Sequence, residues 1–209
     1  MKRYIAIAVC VAGSLATAAS PGLAQQKVVQ FDLVPNPKFV GCLGVQGGPE
    51  PTAKVTVIRG KLNDTLFLEA RHLRPNLGFD LFTVQKSPFL ANGSADPAFV
   101  PNDFGMAWYQ SDLQADGNGR ADVEIKTILL DQIFGFDQDA SLPPTNTFHL
   151  GFWFNNPKDA AGCHFDVTHP TPFNGEHQAG PLAMISLPVA DTTLGPLCTN
   201  PNSNGTCNP

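Results

Sequence analysis

The chain has 209 residues, of which 43% are hydrophobic and 15% are charged, and its formal net charge is −5. No run of five or more basic residues occurs in it. Because nucleic acids and anionic membranes attract concentrated lysine and arginine, this composition argues against either as a partner.

The first 24 residues have the layout of a secretory signal peptide. Lys2 and Arg3 precede an alanine-rich apolar run, and the small residues Gly22 and Ala24 follow it. We expect cleavage after Ala24, which leaves 185 residues and changes the net charge to −7, because the leader is basic. The run is too short for a membrane span of roughly 20 residues. No second long apolar stretch follows, so the sequence predicts a secreted or periplasmic chain with no span in its mature part.

Alternating apolar and polar residues predict strands in the first half of the mature chain. In the segment 27–34, for example, Val29, Phe31 and Leu33 share one face. The predicted strands are 27–34, 53–60, 65–73 and 78–85. The turn sequence Leu-Asn-Asp-Thr separates the second from the third, so 53–73 is a predicted hairpin.

The second half begins with another predicted hairpin, formed by 104–113 and 119–129. Asp116-Gly117-Asn118-Gly119 supplies the residues that tolerate positive φ in a tight turn. The other predicted elements are strands at 146–155 and 182–190, and a segment, 126–136, that fits either a helix or the end of a strand followed by a turn.

Nineteen prolines and nineteen glycines separate these short strands, which is typical of all-β domains. We predict an all-β, antiparallel β-sandwich, immunoglobulin-like or jelly-roll-like, that spans residues 25–194 and is stabilised by disulfides. A tail rich in Asn, Pro and Gly covers 195–209. Long loops are predicted at 87–103, 137–145 and 156–181, and loops of that length are usually functional or poorly ordered.

Four cysteines remain after Cys10 leaves with the leader: Cys42, Cys163, Cys198 and Cys207. An even number in an exported chain indicates two disulfides, with three possible pairings. We favour Cys198–Cys207, which closes a short polar loop, and Cys42–Cys163, which ties the start of the domain to the segment 156–181. Free, buried thiols are the alternative.

Residues 163–181 contain three of the five histidines of the chain. His164, His169 and His177, together with Glu176, form a candidate metal site, because imidazole and carboxylate groups bind zinc or copper. Their spacing does not match the intervals that point two ligands the same way on a strand or a helix. Histidines that only pack or connect strands are therefore the alternative, and no cofactor is assured.

Aromatic side chains near the same loop predict a ligand surface. Trp153 and His149 lie on the preceding predicted strand, and Phe173 and Asn174 lie within the loop. Flat rings can stack on the apolar faces of sugars. The alternative for Trp153, and for Trp108 earlier in the chain, is that the ring fills the core.

No catalytic motif for a serine hydrolase, a zinc protease, a dinucleotide enzyme or a P-loop enzyme occurs in the chain. The sequence therefore favours a secreted, non-enzymatic binding or structural module of the bacterial cell envelope or the extracellular space. The loop 156–181 is its predicted working surface, and a glycan or another envelope component is the expected partner. A metal-binding protein or metalloenzyme that uses the histidines and Glu176 is the alternative.

Overall fold

The computed structural model of the chain describes residues 28–60, 63–101, 103–127, 147–171, 178–189 and 194–198. The predicted signal peptide, 1–24, and the tail from 199 onward lie outside the described residues, as does most of the segment 126–136. None of the described helices is long and apolar enough to cross a membrane.

Short strands dominate the described part of the chain, which confirms the all-β prediction. In chain order the elements are the strands β1 (Val28–Pro35), β2 (Thr52–Ile58), β3 (Asp64–Arg71), β4 (Gly78–Val84), β5 (Ala107–Gln114), β6 (Ala121–Thr127), β7 (Thr147–Phe154), β8 (Leu182–Ser186) and β9 (Leu197–Cys198), with the helix α1 (Val40–Leu43) after β1 and the 3-10 helix η1 (Pro157–Cys163) after β7.

Eight of these strands form one continuous antiparallel sheet, ordered β5-β4-β7-β8-β1-β2-β3-β6, and β9 pairs with the start of β7. The ends of this path, β5 and β6, approach each other, so the sheet rolls nearly into a barrel. Pairing of Leu33 with Ser186 and of Pro35 with Met184 joins β1 to β8 and keeps the sheet continuous. The two separate stacked sheets of the predicted sandwich are not confirmed.

The two predicted hairpins have different outcomes. β2 and β3 pair with each other as predicted, with Val57 opposite Leu66. The turn at 116–119 also forms, but β5 pairs with β4 and β6 pairs with β3. No ladder joins β5 to β6 within the described residues, so the predicted pairing of 104–113 with 119–129 is wrong. The residues of the turn determine where the chain reverses, whereas packing across the sheet determines which strands pair.

Gly119 holds this turn against the residues that follow β3. Its φ is +72°, its N–H donates to the carbonyl of Asp116 at 3.1 Å, and its carbonyl accepts from the N–H of Leu73 at 3.0 Å. A Cβ here would lie 2.1 Å from the carbonyl oxygen of Leu73. Because the change adds both a clash and a strained φ, we expect Gly119→Ala to lower the free energy of unfolding by about 2 kcal/mol.

Gly117→Ala is the matched control in the same turn, since no atom lies within 4 Å of its Cβ position. We expect its free energy of unfolding, from urea titration followed by circular dichroism, to stay within about 0.5 kcal/mol of the starting protein. Equal losses at the two glycines would contradict the role given to Gly119.

The interior of the rolled sheet is apolar. Phe148, Leu150, Phe152 and Phe154 point into it from alternate positions of β7, as the sequence predicts, and pack with residues from the other strands. Phe79 on β4 contributes one of the ring contacts, with its centroid 4.9 Å from that of Phe152. Rows of alternating side chains with one face inward are what such a core requires.

A second apolar cluster covers the opposite face of β4, β7 and β8. Trp153, Phe82, Val84 and Ile185 form its base, and rings from the long connection between β4 and β5 lie over them. Those rings are Phe89, Phe99 and Phe104. The predicted loop 87–103 therefore acts as a packed cover, and β7 is buried at every position.

Candidate functional site

The disulfide Cys42–Cys163 is present, with the two Cα atoms 6.0 Å apart. It joins α1 to the last residue of η1, at one end of the rolled sheet. This confirms the predicted pairing of Cys42 with Cys163. Cys207 and the side chain of Cys198 lie outside the described residues, so the pairing of Cys198 with Cys207 stays a prediction.

The start of the predicted loop 156–181 is ordered by its own backbone. The side chain of Asn156 caps η1 by accepting from the N–H of Lys158 at 3.0 Å, and Pro157 occupies the first turn. His164 ends the helix in the left-handed region, at φ +64°, and its N–H donates to the carbonyls of Ala160 and Ala161. In the structure, the backbone of His164 therefore ends η1.

His169 lies in a small polar network at the surface. Its Nδ1 is 2.8 Å from Oδ2 of Asp166, and the side-chain hydroxyl of Thr168 donates to Oδ1 of Asp166 at 2.6 Å. These hydrogen bonds, that of Thr168 first, lower the pKa of Asp166 to about 2. The network stabilises a turn and leaves the His169 side chain 83% exposed.

The candidate metal site is only partly covered by the described residues. Among them, no group of three or more His, Cys, Asp or Glu side chains is arranged to hold a metal ion. His177 and Glu176 lie outside the described residues. Zinc or copper binding by these two with His164 and His169 stays a prediction, which metal analysis of untagged protein would test.

The predicted ligand surface does not include Trp153 or His149, because both side chains are fully buried. The indole of Trp153 packs edge-on against Phe104, with ring centroids 5.1 Å apart, and Nδ1 of His149 lies 3.0 Å from the carbonyl oxygen of Ser186. The rings that cover Trp153 come from the connection between β4 and β5, far away in the sequence. The other two predicted residues, Phe173 and Asn174, lie outside the described residues.

Among the described residues, Trp108 and Tyr109 are the large aromatic residues that remain exposed, each at 49%, on the edge strand β5. They are neighbours on a strand, so their rings leave from opposite faces and do not form one platform. The Tyr109 ring packs edge-on against Phe82, and its hydroxyl donates to Oδ1 of Asp112 at 2.8 Å. Burial and this hydrogen bond raise the pKa of Tyr109 to about 12.

Tyr109 gives a direct optical test of this contact, because the other tyrosine of the chain, Tyr4, belongs to the predicted leader and would be absent from the processed protein. We expect the ultraviolet absorbance of the phenolate to appear with a midpoint near pH 12. Asp112→Asn removes the negative charge that favours the protonated phenol, so the midpoint should fall toward the ordinary value of about 10. Ser111→Ala, on the same strand, should leave the midpoint unchanged, and an unchanged midpoint in Asp112→Asn would contradict the assignment.

A groove lies beside the disulfide, between the glycine-rich segment 44–51 and η1. Both cysteines, the exposed residues Val45, Gln46 and Glu50, and Arg74 line it. Arg74 links its two sides: its backbone N–H donates to the carbonyl of Leu43 at 2.7 Å, and Nη2 donates to the carbonyl of Asp159 at 3.1 Å. The walls are therefore fixed by one covalent bond and by hydrogen bonds.

Two further clefts lie next to one another along the surface and share lining residues with this groove or with each other. The second cleft, on the outer face of β1, β2 and β3, shares Glu50 and Pro51 with the groove. The third, between the end of β3 and the turn at 116–119, shares Arg71 with the second. We call the three clefts together the polar band; besides the groove residues, its polar side chains are Asp32, Thr52, Lys54, Glu69, Arg71, His72, Asn118 and Arg120.

Sequence reasoning located one wall of the band, through Cys163, and missed the rest. The segment 44–51 and the turn at 116–119 each have the local pattern of a simple reversal, and only the fold brings them beside η1 and β3. The predicted pairing of Cys42 with Cys163 was the one signal that could have led to the segment after Cys42.

The chain matches no protein-family model, and comparison with curated proteins and with solved structures gives no match for either.

Proposed function

We propose that the protein is an exported, non-enzymatic binding module of the cell envelope or the extracellular space, and that the polar band is its ligand surface. The observation that carries the proposal is that the three clefts are neighbours and share the lining residues Glu50, Pro51 and Arg71. The disulfide and the predicted leader support export, because disulfides persist in oxidising compartments.

The chemistry of the band supports a polar ligand. Side chains of both charge signs, the amides of Gln46 and Asn118, and peptide groups of the glycine-rich segment line it. A carbohydrate donates and accepts hydrogen bonds along its whole length, and this lining can meet both kinds of group. The lining has too few exposed apolar side chains for a lipid, which needs a continuous apolar surface.

The shape of the band supports a linear polymer. It runs from the disulfide, over Pro51, to the turn at 116–119, so several units of a chain could lie on it at once. Binding spread over several weak subsites gains strength from their linkage. A polysaccharide of the envelope therefore fits the surface better than a single small molecule.

The experiment is a pull-down and titration of the processed protein against a panel of purified cell-wall polysaccharides. The test variant is Val45→Ser with Glu50→Gln, which changes two exposed residues of the groove. The control is Val100→Ser with Glu124→Gln, which makes the same two changes at exposed positions that do not line the three clefts.

We expect the test variant to bind its polysaccharide about tenfold more weakly and the control to bind as the starting protein does. Equal binding by all three proteins would exclude the band as the surface. Failure of every polysaccharide to bind would exclude the proposed class of ligand.

A further inference from the structure

The disulfide Cys42–Cys163 lies in the wall of the groove, although most structural disulfides gain protection from being covered. Both cysteines line the groove. They are unequally accessible, because Cys42 is 4% exposed and buried whereas Cys163 is half-buried. A reagent that enters the groove therefore meets the sulfur of Cys163 more readily.

Two glycines lie beside the disulfide. Gly41 and Gly162, each directly before one of the cysteines, are both exposed. A Cβ built at Gly41 would lie 3.7 Å from Sγ of Cys163, and one built at Gly162 would lie 3.7 Å from Sγ of Cys42. These are ordinary contact distances, so alanine fits at either position and would cover the opposite sulfur.

Accessibility also decides which sulfur leaves. A thiolate attacks one sulfur of a disulfide and displaces the other. Because Cys163 is the more accessible of the two cysteines, attack from the groove displaces Sγ of Cys42.

We propose that Cys42–Cys163 is a reactive disulfide and that Cys163 is the site at which a low-molecular-weight thiol becomes attached. The thiol loses its proton to solvent, and its thiolate attacks Sγ of Cys163. A new S–S bond forms to Cys163, the bond to Cys42 breaks, and its electron pair leaves on Sγ of Cys42, which then takes a proton from solvent. This removes the covalent link between α1 and η1, so that the hydrogen bonds of Arg74 alone join the two walls that it bridges.

The inference rests on the geometry of the groove and not on the proposed ligand, so the two can fail separately. Loss of polysaccharide binding tests the proposed function, whereas attachment of a thiol tests this one. If both proposals hold, the disulfide keeps the walls of the ligand groove joined, and its cleavage alters the ligand surface.

The experiment uses the folded, processed protein, with 2-mercaptoethanol as the probe, quenching by acid, and peptide mass mapping. We expect a mixed disulfide on Cys163, formed at a rate proportional to thiol concentration. A rate independent of thiol concentration would show that unfolding limits access and would overturn the proposal, as would attachment to Cys42.

Gly41→Ala covers the attacked sulfur, and we expect it to slow the reaction about tenfold. Gly162→Ala is the matched control, because it covers the sulfur of Cys42, and we expect its rate to stay within about twofold of the starting protein. An unchanged rate in Gly41→Ala would overturn the assignment. Should either variant fold poorly, the concentration dependence in the unsubstituted protein decides the question.

Discussion

Trp153→Ala is expected to lower the free energy of unfolding by about 4 kcal/mol, since truncation of a buried tryptophan removes a large contact area and leaves a cavity. Trp153 is fully buried, and its ring contacts Phe82, at 5.6 Å between centroids, and Phe104, at 5.1 Å. Loss of the indole would therefore weaken both β7 and the long connection that covers it. Urea unfolding followed by circular dichroism measures the change.

Trp108→Ala is the control in the same chain, because Trp108 is 49% exposed on an edge strand. We expect it to cost less than about 1 kcal/mol. A loss at Trp153 no larger than that at Trp108 would show that the outer cluster contributes little to stability.

The same residue shows how far sequence reasoning reaches. Alternation along β7 predicts correctly that Phe148 and Phe152 share one face and that Trp153 lies on the other. It does not show whether the second face is wet, because the cover comes from Phe89, Phe99 and Phe104, which precede β7 by dozens of residues. A strand buried on both faces and a strand with one exposed aromatic face have the same period of two.

Strand partners were harder to predict than strands. The turn at 116–119 follows from Asp and Gly at defined positions, but whether its two arms pair depends on which other edges are free. In the fold, β4 and β3 already offer those edges, so β5 and β6 become the two ends of one sheet. The pairing of strands depends on the whole fold, so a window of ten residues does not determine it.

The part of the candidate site next to the disulfide was predictable from the sequence. Pairing Cys42 with Cys163 correctly placed the loop after β7 beside the start of the chain. The partners of Arg71 and Arg74, and the continuity of the polar band, depend on segments that the sheet brings together from separate parts of the sequence. Hydrogen-bonding side chains that line a cleft do not recur at a fixed interval in the sequence, so no sequence pattern identifies them.

Replacement of both Cys42 and Cys163 by alanine is expected to lower the free energy of unfolding by about 5 kcal/mol. The two residues are 121 positions apart, so the bond encloses the strands from β2 to β7 and removes much of the conformational freedom of the unfolded chain. For loops of this length the chain-entropy relation gives a value near that figure. Urea unfolding of the double variant and of the oxidised protein measures the difference.

Alanine at both Cys198 and Cys207 serves as the comparison. If these two are paired as predicted, their bond encloses a far shorter loop, and the same relation gives about half the effect. The order of the two losses is therefore fixed by loop length alone. A loss below about 1 kcal/mol for Cys42 and Cys163 would contradict the chain-entropy account of this bond.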